Sequence, residues 1–256
     1  MLLVADVGNT NITFGLYEGD ELIATYRLTT WFKRTSDEYG FMILNFLNAQ
    51  GAKAEEIHDV IIASVVPKIM YSFTNSIRKY LKKEPMIIGP GTKTGIVIKY
   101  DNPKEVGADR IVVAVAAHNV YGGDCLTIDF GTATTYEFTD SNGIYYGGCI
   151  CPGIQISAQS LTSKTAKLPE IEIKPTNTVL PSNTIAAMQS GVFYGYLGSV
   201  EYIIDKYKQE TGKDLKVIAT GGLAKLIYEH TDKIDVYDPD LIFKGLKIIY
   251  DKNKKN

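Results

Sequence analysis

The apolar and polar positions of the chain fall into two matching trains. Residues 2–17, LLVADVGNTNITFGLY, and residues 125–138, CLTIDFGTATTYEF, each run as an apolar strand ending in Asp, a hydroxyl-rich turn containing Gly, and a second strand. Asp6-Val7-Gly8-Asn9-Thr10 aligns with Asp129-Phe130-Gly131-Thr132-Ala133. Each train then reaches another turn, Gly19-Asp20 or Asn142-Gly143, and a third apolar strand, Leu22–Leu28 or Ile144–Ile150. A fainter echo follows. Val60-Ile61-Ile62-Ala63-Ser64 resembles Val217-Ile218-Ala219-Thr220, each a short buried strand of the parallel type leading toward a helix. Helical stretches are predicted at roughly 37–50, 69–83, 107–121, 183–210 and 222–230.

Two copies of β-β-β-α-β-α predict an α/β protein of two similar domains, 1–121 and 122–256. The boundary is expected near Tyr121-Gly122-Gly123-Asp124, where glycines end the helix carried by Gly107–Val120. One Asp-x-Gly turn is a weak signal, common in hairpins; its recurrence between matching strands is a strong one. The stretch 183–210 is apolar around more than one face, with Gly191, Gly195 and Gly198 permitting close approach. Such a helix is buried in a core or against a second subunit. Tyr194 and Tyr196 lie on the candidate interface.

Composition narrows the function classes. Of 256 residues, 45% are hydrophobic and 22% charged, as in a soluble globular protein. A net charge of −2 leaves no basic footprint for nucleic acid. No apolar run reaches the ~18–20 residues that cross a bilayer. The start, MLLVADVGNT, reads as a strand without a secretory leader. Lys252, Lys254 and Lys255 read as a frayed end. Three cysteines, Cys125, Cys149 and Cys151, have no disulfide-framework spacing, which fits a reducing cytoplasm. Cys149 and Cys151, two apart in an apolar run, are expected on opposite sides of a strand and read as structural. His58, His118 and His230 are isolated and are assigned no metal.

The turns carry the candidate chemistry. Glycine lets the backbone turn tightly and approach an anion. The N–H groups that follow, with hydroxyls of Thr10, Thr13, Thr132, Thr134 and Thr135 and amides of Asn9 and Asn11, can donate to phosphate oxygens. Asp6 and Asp129 end their strands, so two carboxylates are expected to face a shared cleft, where a cation must separate them from phosphates. Ala219-Thr220-Gly221-Gly222-Leu223-Ala224, a strand, two glycines and a helix, permits close approach of a ring or phosphate, although an ordinary tight turn has the same pattern. Gly107-Ala108-Asp109-Arg110 opens a helix, where the macrodipole and free N–H groups hold Asp109 ionised. That Asp is either a helix cap or a reacting group. Arginine is scarce, with Arg27, Arg34, Arg78 and Arg110 against many lysines, and the planar fork of Arg110 suits a carboxylate.

At its two Asp-x-Gly turns and its Gly-Gly loop the chain resembles the actin/hexokinase/Hsp70 superfamily. A finer resemblance, in order over essentially the whole chain, is to the type III pantothenate kinase family. It rests on Asp6-Val7-Gly8-Asn9-Thr10-Asn11, Lys99-Tyr100-Asp101-Asn102-Pro103, Gly107-Ala108-Asp109-Arg110, Asp129 to Thr135, Pro152-Gly153-Ile154, Asn183-Thr184 and Ala219-Thr220-Gly221-Gly222. Cys149 and Cys151 stand where that family usually shows small or apolar residues. The resemblance implies two actin-like (ribonuclease H-like) domains with a nucleotide cleft between them. It implies ATP-dependent phosphorylation of pantothenate to 4′-phosphopantothenate, the first step of coenzyme A synthesis. By the same resemblance Asp109 is the base that takes the hydroxyl proton. Tyr100, Gly107, Ala108, Asp109, Arg110 and Thr184 hold pantothenate. Asp6, Val7, Gly8, Asn9, Thr10, Asn11, Ile12, Thr13, Thr132, Gly221 and Gly222 hold ATP. Asp129 holds potassium or ammonium beside the magnesium that travels with ATP, and the protein is a cytoplasmic homodimer. Two other readings stay open: a sugar kinase or polyphosphate-cleaving phosphatase of the same superfamily, and a catalytically silent nucleotide-binding regulator. The first usually needs a longer chain; the second needs neither a base nor a substrate fork.

Overall fold

The computed structural model describes residues 1–254; Lys255 of the basic tail lies outside the described residues. By contact the chain forms two compact units. One holds Met1–Ile96, Asp101–Ala116 and the chain from Leu241 onward; the other holds Val97–Tyr100 and Ala117–Asp240.

The first unit is built on a five-stranded sheet in the order β3-β2-β1-β4-β5. These strands are β1 (Leu2–Val7), β2 (Asn11–Glu18), β3 (Glu21–Thr29), β4 (Asp59–Ser64) and β5 (Met86–Ile87). β1 pairs antiparallel with β2 and parallel with β4. Because side chains alternate along a strand, β1 serves two cores. Leu3, Ala5 and Val7 pack with helices α1 (Ser36–Ala49) and α2 (Pro67–Tyr80). Leu2 and Val4 pack on the other face with α3 (Ala108–Ala116) and α7 (Leu241–Asn253). A strand buried on both faces reads as a continuous apolar run, as LLVADV and DVIIAS do.

α1 starts with a capping box: the Thr35 side chain accepts from Glu38 N–H, and Glu38 accepts from Thr35 N–H at 2.7 Å. Of the residues expected to fray, Lys252 instead lies in the last turn of α7, while Lys254 follows the end of the helix at Asn253. α7 lies so close to α3 that a side chain at Gly245 would collide with the Val112 carbonyl. The helix expected over 107–121 is α-helical only to Ala116 and widens to a π-turn over Ala117–Tyr121.

The second unit has a six-stranded sheet in the order β11-β10-β7-β8-β9-β6. Its strands are β6 (Val97–Ile98), β7 (Cys125–Phe130), β8 (Ala133–Thr139), β9 (Ile144–Pro152), β10 (Lys216–Thr220) and β11 (Val236–Tyr237). Its apolar core includes Leu126, Ile128, Tyr136, Phe193, Val200 and Ile204. Helices α4 (Ile154–Lys164), α5 (Thr184–Thr211) and α6 (Ala224–Tyr228) complete the unit. β7-β8-β9 repeats β1-β2-β3, and β10 pairs with β7 as β4 pairs with β1.

Cys149 and Cys151 do not face opposite ways. They pair with Tyr136 and Thr134, two apart on β8, and residues two apart on a strand share a face. Among the described residues no helix is long and apolar enough to cross a membrane.

Candidate active site

In the first unit β1 and β4 run parallel and end together, Val7 beside Ser64. Such ends are where open α/β sheets bind ligands. The turn after β1 is closed by Gly8 N–H donating to the Asn11 carbonyl at 2.9 Å. A Cβ at Gly8 would sit 3.1 Å from that oxygen, so the tight turn favours glycine. Asn9 and Thr10 at its tip are exposed, Asn11 and Thr13 half-buried. Half-buried Asp6 pairs with Thr13 on one side and Ala63 on the other. Val7 and Ile12 are fully buried in the core, so they can offer a nucleotide only backbone groups.

The same edge reaches α3. Val65, just after β4, donates its N–H to the Val7 carbonyl at 3.1 Å. A side chain at Gly107 would meet Val65 Cγ1 at 3.3 Å and also the Asp109 carboxylate. The turn after β1 and the Asp109 segment therefore converge on the Val65 loop, within one unit. Asp109 Oδ1 accepts from Arg110 N–H at 2.7 Å. That bond, Arg110's charge and Asp109's own N–H pull the carboxyl pKa down, but burial outweighs them and the pKa is raised. Here the expectation of a low-pKa carboxylate is corrected: desolvation beats the helix terminus. A carboxylate raised in this way is a stronger base than an exposed one.

The second unit repeats the geometry around Asp129. β7 and β10 run parallel, pairing Asp129 with Thr220. Gly221 follows with a left-handed φ of 96°. A side chain there would run into Asp129 Oδ1 and the Phe130 backbone, so the carboxylate lies directly over this glycine. Thr132 is exposed, and its carbonyl accepts from Gly153 N–H at 3.1 Å at the start of α4. A Cβ at Gly153 would fill the space against the Gly131 and Thr132 carbonyls. Gly153 closes this cradle; its sequence signal was the Pro152-Gly153-Ile154 motif. Thr134, expected among the phosphate donors, is fully buried, with its hydroxyl bonded to the Tyr196 hydroxyl. The Thr134 role is therefore withdrawn. Burial pushes Tyr196 up to about 12.

The residues predicted to hold the acceptor are divided. Gly107, Ala108, Asp109 and Arg110 belong to the first unit, Tyr100 and Thr184 to the second. The Tyr100 ring covers Gly147, whose φ of 84° places its hydrogen against that ring. Thr184 is exposed at the first position of α5, whose cap Asn183 accepts from Ala186 N–H at 2.9 Å. Tyr194 donates to the Thr176 carbonyl within its own chain.

The family profile for type III pantothenate kinase matches residues 2–206. The chain belongs to the type III pantothenate kinase family. A type III pantothenate kinase of Agathobacter rectalis is 52% identical over 256 residues, which is 100% of this chain and 98% of that protein. Among solved structures, a Campylobacter jejuni protein described as a Baf family transcriptional activator superposes with a TM-score of 0.61 at 22% identity, covering 98% of each chain. The activator of 2-hydroxyisocaproyl-CoA dehydratase from Clostridium difficile, solved with ADPNP, gives 0.54 at 13% identity over 100% of this chain and 98% of that one. At such identities these structures speak to the fold, which is α/β and actin-like.

Proposed function

We infer that the chain catalyses transfer of the γ-phosphoryl group of ATP to the hydroxyl of pantothenate, giving 4′-phosphopantothenate at the first step of coenzyme A synthesis. Family membership supports the enzyme class and the substrate. The observation that carries the mechanism is the desolvated Asp109 at the start of α3, on the edge where the phosphate turn also lies.

In this reading the pantothenate hydroxyl oxygen attacks the γ-phosphorus, the bond to the bridging oxygen breaks, and ADP leaves. Asp109 orients the hydroxyl and takes its proton. Its Oδ1 accepts from Arg110 N–H at 2.7 Å, which fixes the orientation of the carboxylate. Phosphoryl transfer demands more positioning than basicity, so a carboxylate suffices as the base. Arg110, with Gly107, Ala108, Tyr100 and Thr184, binds the carboxylate and amide body of pantothenate. Backbone N–H groups and side chains from Asp6 to Thr13, with Thr132, Gly221 and Gly222, bind ATP. A Cβ at Gly8, Gly153 or Gly221 would press on neighbouring backbone or on the Asp129 carboxylate, so glycine there keeps these turns tight. Tight turns are what let backbone N–H groups approach phosphate oxygens. Asp129 offers a carboxylate, the oxygen donor that hard cations take, and would hold potassium or ammonium. Magnesium bound with ATP, and that monovalent ion, supply charge neutralisation on the phosphates.

We further propose a cytoplasmic homodimer joined through α5, because Gly191, Gly195 and Gly198 are exposed with open space around them. The activity is tested by mass spectrometry of 4′-phosphopantothenate after incubation with ATP, magnesium and potassium. Sugars, acetate and polyphosphate serve as competing substrates. Product from pantothenate alone is expected. ATP binding without turnover would favour the silent regulator, and equal rates with sodium would remove the cation role of Asp129.

A further inference from the structure

The turn after β1 presents backbone N–H groups only if its carbonyls point elsewhere, and one residue holds two of them. Thr30, immediately after β3, is buried at 7% exposure. Its hydroxyl donates to the Gly8 carbonyl at 2.6 Å, and its N–H donates to the Thr10 carbonyl at 2.8 Å. The described peptide bonds contain no cis form, and in a trans peptide the C=O and the following N–H point in opposite directions. Fixing the Gly8 carbonyl toward Thr30 therefore aims the Asn9 N–H away from it, and fixing the Thr10 carbonyl does the same for Asn11. Gly8 N–H is already used, donating to the Asn11 carbonyl at 2.9 Å.

The Gly8–Asn9 peptide is also the one most easily turned over, because glycine offers little resistance to rotation on its side. Turned over, it would present a carbonyl oxygen where a phosphate oxygen should sit. In the second turn the Thr132 carbonyl accepts from the backbone N–H of Gly153 at 3.1 Å.

We propose that Thr30 is a positioning residue for ATP: its hydroxyl and N–H hold the Gly8 and Thr10 carbonyls inward so that the turn's N–H groups face the phosphates. The proposal rests on reading Gly8–Thr10 as a phosphate turn. Thr30→Val keeps the shape and the backbone N–H but removes the hydroxyl; Thr30→Ser restores a hydroxyl. ATP affinity is measured by calorimetry, and KM for ATP and for pantothenate by steady-state kinetics.

Thr30→Val is expected to weaken ATP binding ~10-fold, about one well-made hydrogen bond, and to raise KM for ATP by a similar factor. KM for pantothenate should hold, and Thr30→Ser should recover most of the loss. A merely structural role would lower the melting temperature without separating the two KM values. Thr30→Ala, which leaves room for a water at the Gly8 carbonyl, gives the same comparison if the valine variant folds poorly. Unchanged ATP affinity, or failure of serine to restore it, overturns the proposal. Asn9→Pro, which removes the N–H that the Gly8 carbonyl is held away from, separates the two ideas. If it too binds ATP normally, the phosphate reading of the turn fails; if it alone loses affinity, only the role of Thr30 fails.

Discussion

Gly221→Ala tests whether the loop after β10 is as tightly built as the structure indicates. Gly221 has a φ of 96°, which costs an L-residue about 1–2 kcal/mol. The new methyl would lie 2.7 Å from Phe130 N and 2.8 Å from Phe130 C. Both are backbone atoms of β7 and cannot move without disturbing its pairing with β10. Overpacking of this kind costs about 1–3 kcal/mol. The predicted loss is therefore roughly 2–5 kcal/mol. Gly212→Ala isolates the first contribution. Gly212, at the C-cap of α5, is also left-handed at 62° but has nothing within 4 Å. Its variant should lose about 1–2 kcal/mol. Urea unfolding followed by far-UV circular dichroism gives both values, and KM for ATP shows whether the displaced Asp129 carboxylate matters. If Gly221→Ala is no less stable than Gly212→Ala, the close approach to Phe130 is wrong.

Burial raises the Asp109 carboxyl, so the folded state binds this proton more tightly than the unfolded chain does. The stability linked to it is fully present below the ordinary carboxylate range and is lost as pH rises through the raised value. Asp109→Asn removes that loss; melting curves should show the variant gaining on wild type as pH rises through that window, and parallel curves would contradict the desolvation. Gly191→Ala and Gly195→Ala fill open space on a helix, and in an isolated subunit each should stabilise by about 0.5–1 kcal/mol. If α5 packs closely against a second copy, the same variants should instead weaken the dimer in sedimentation. A dimer of unchanged affinity would count against α5 as the interface.

Much of this was legible in the sequence because it is local. The hairpins around Asp6 and Asp129 are written in alternating residues and turn glycines, and their repetition exposed the duplicated topology. The long helix expected over 183–210 spans Thr184–Thr211, with Asn183 as its cap. What escaped is long-range. The LIFKGLKIIYDKN segment of α7 carries a glycine that looks like a helix breaker; only the close approach of α3 explains it. Val7 and Ile12 stand in the turn proposed to bind phosphate, yet strand alternation sends both side chains into the core. The raised Asp109 follows from how deeply the Gly107–Arg110 segment is packed, which no local pattern encodes. Thr30 touches Gly8 across a separation of 22 residues, so its role appears only once β2 and β3 are paired.

The central claim is that Asp109 takes the proton from the pantothenate hydroxyl as the phosphoryl group arrives. The most direct measurement is kcat of Asp109→Asn with saturating ATP, magnesium, potassium and pantothenate, with ATP affinity determined on the same preparation. A fall of about 10²–10⁴-fold in kcat with ATP affinity intact is predicted. A variant that binds ATP normally and turns over near the wild-type rate would contradict it.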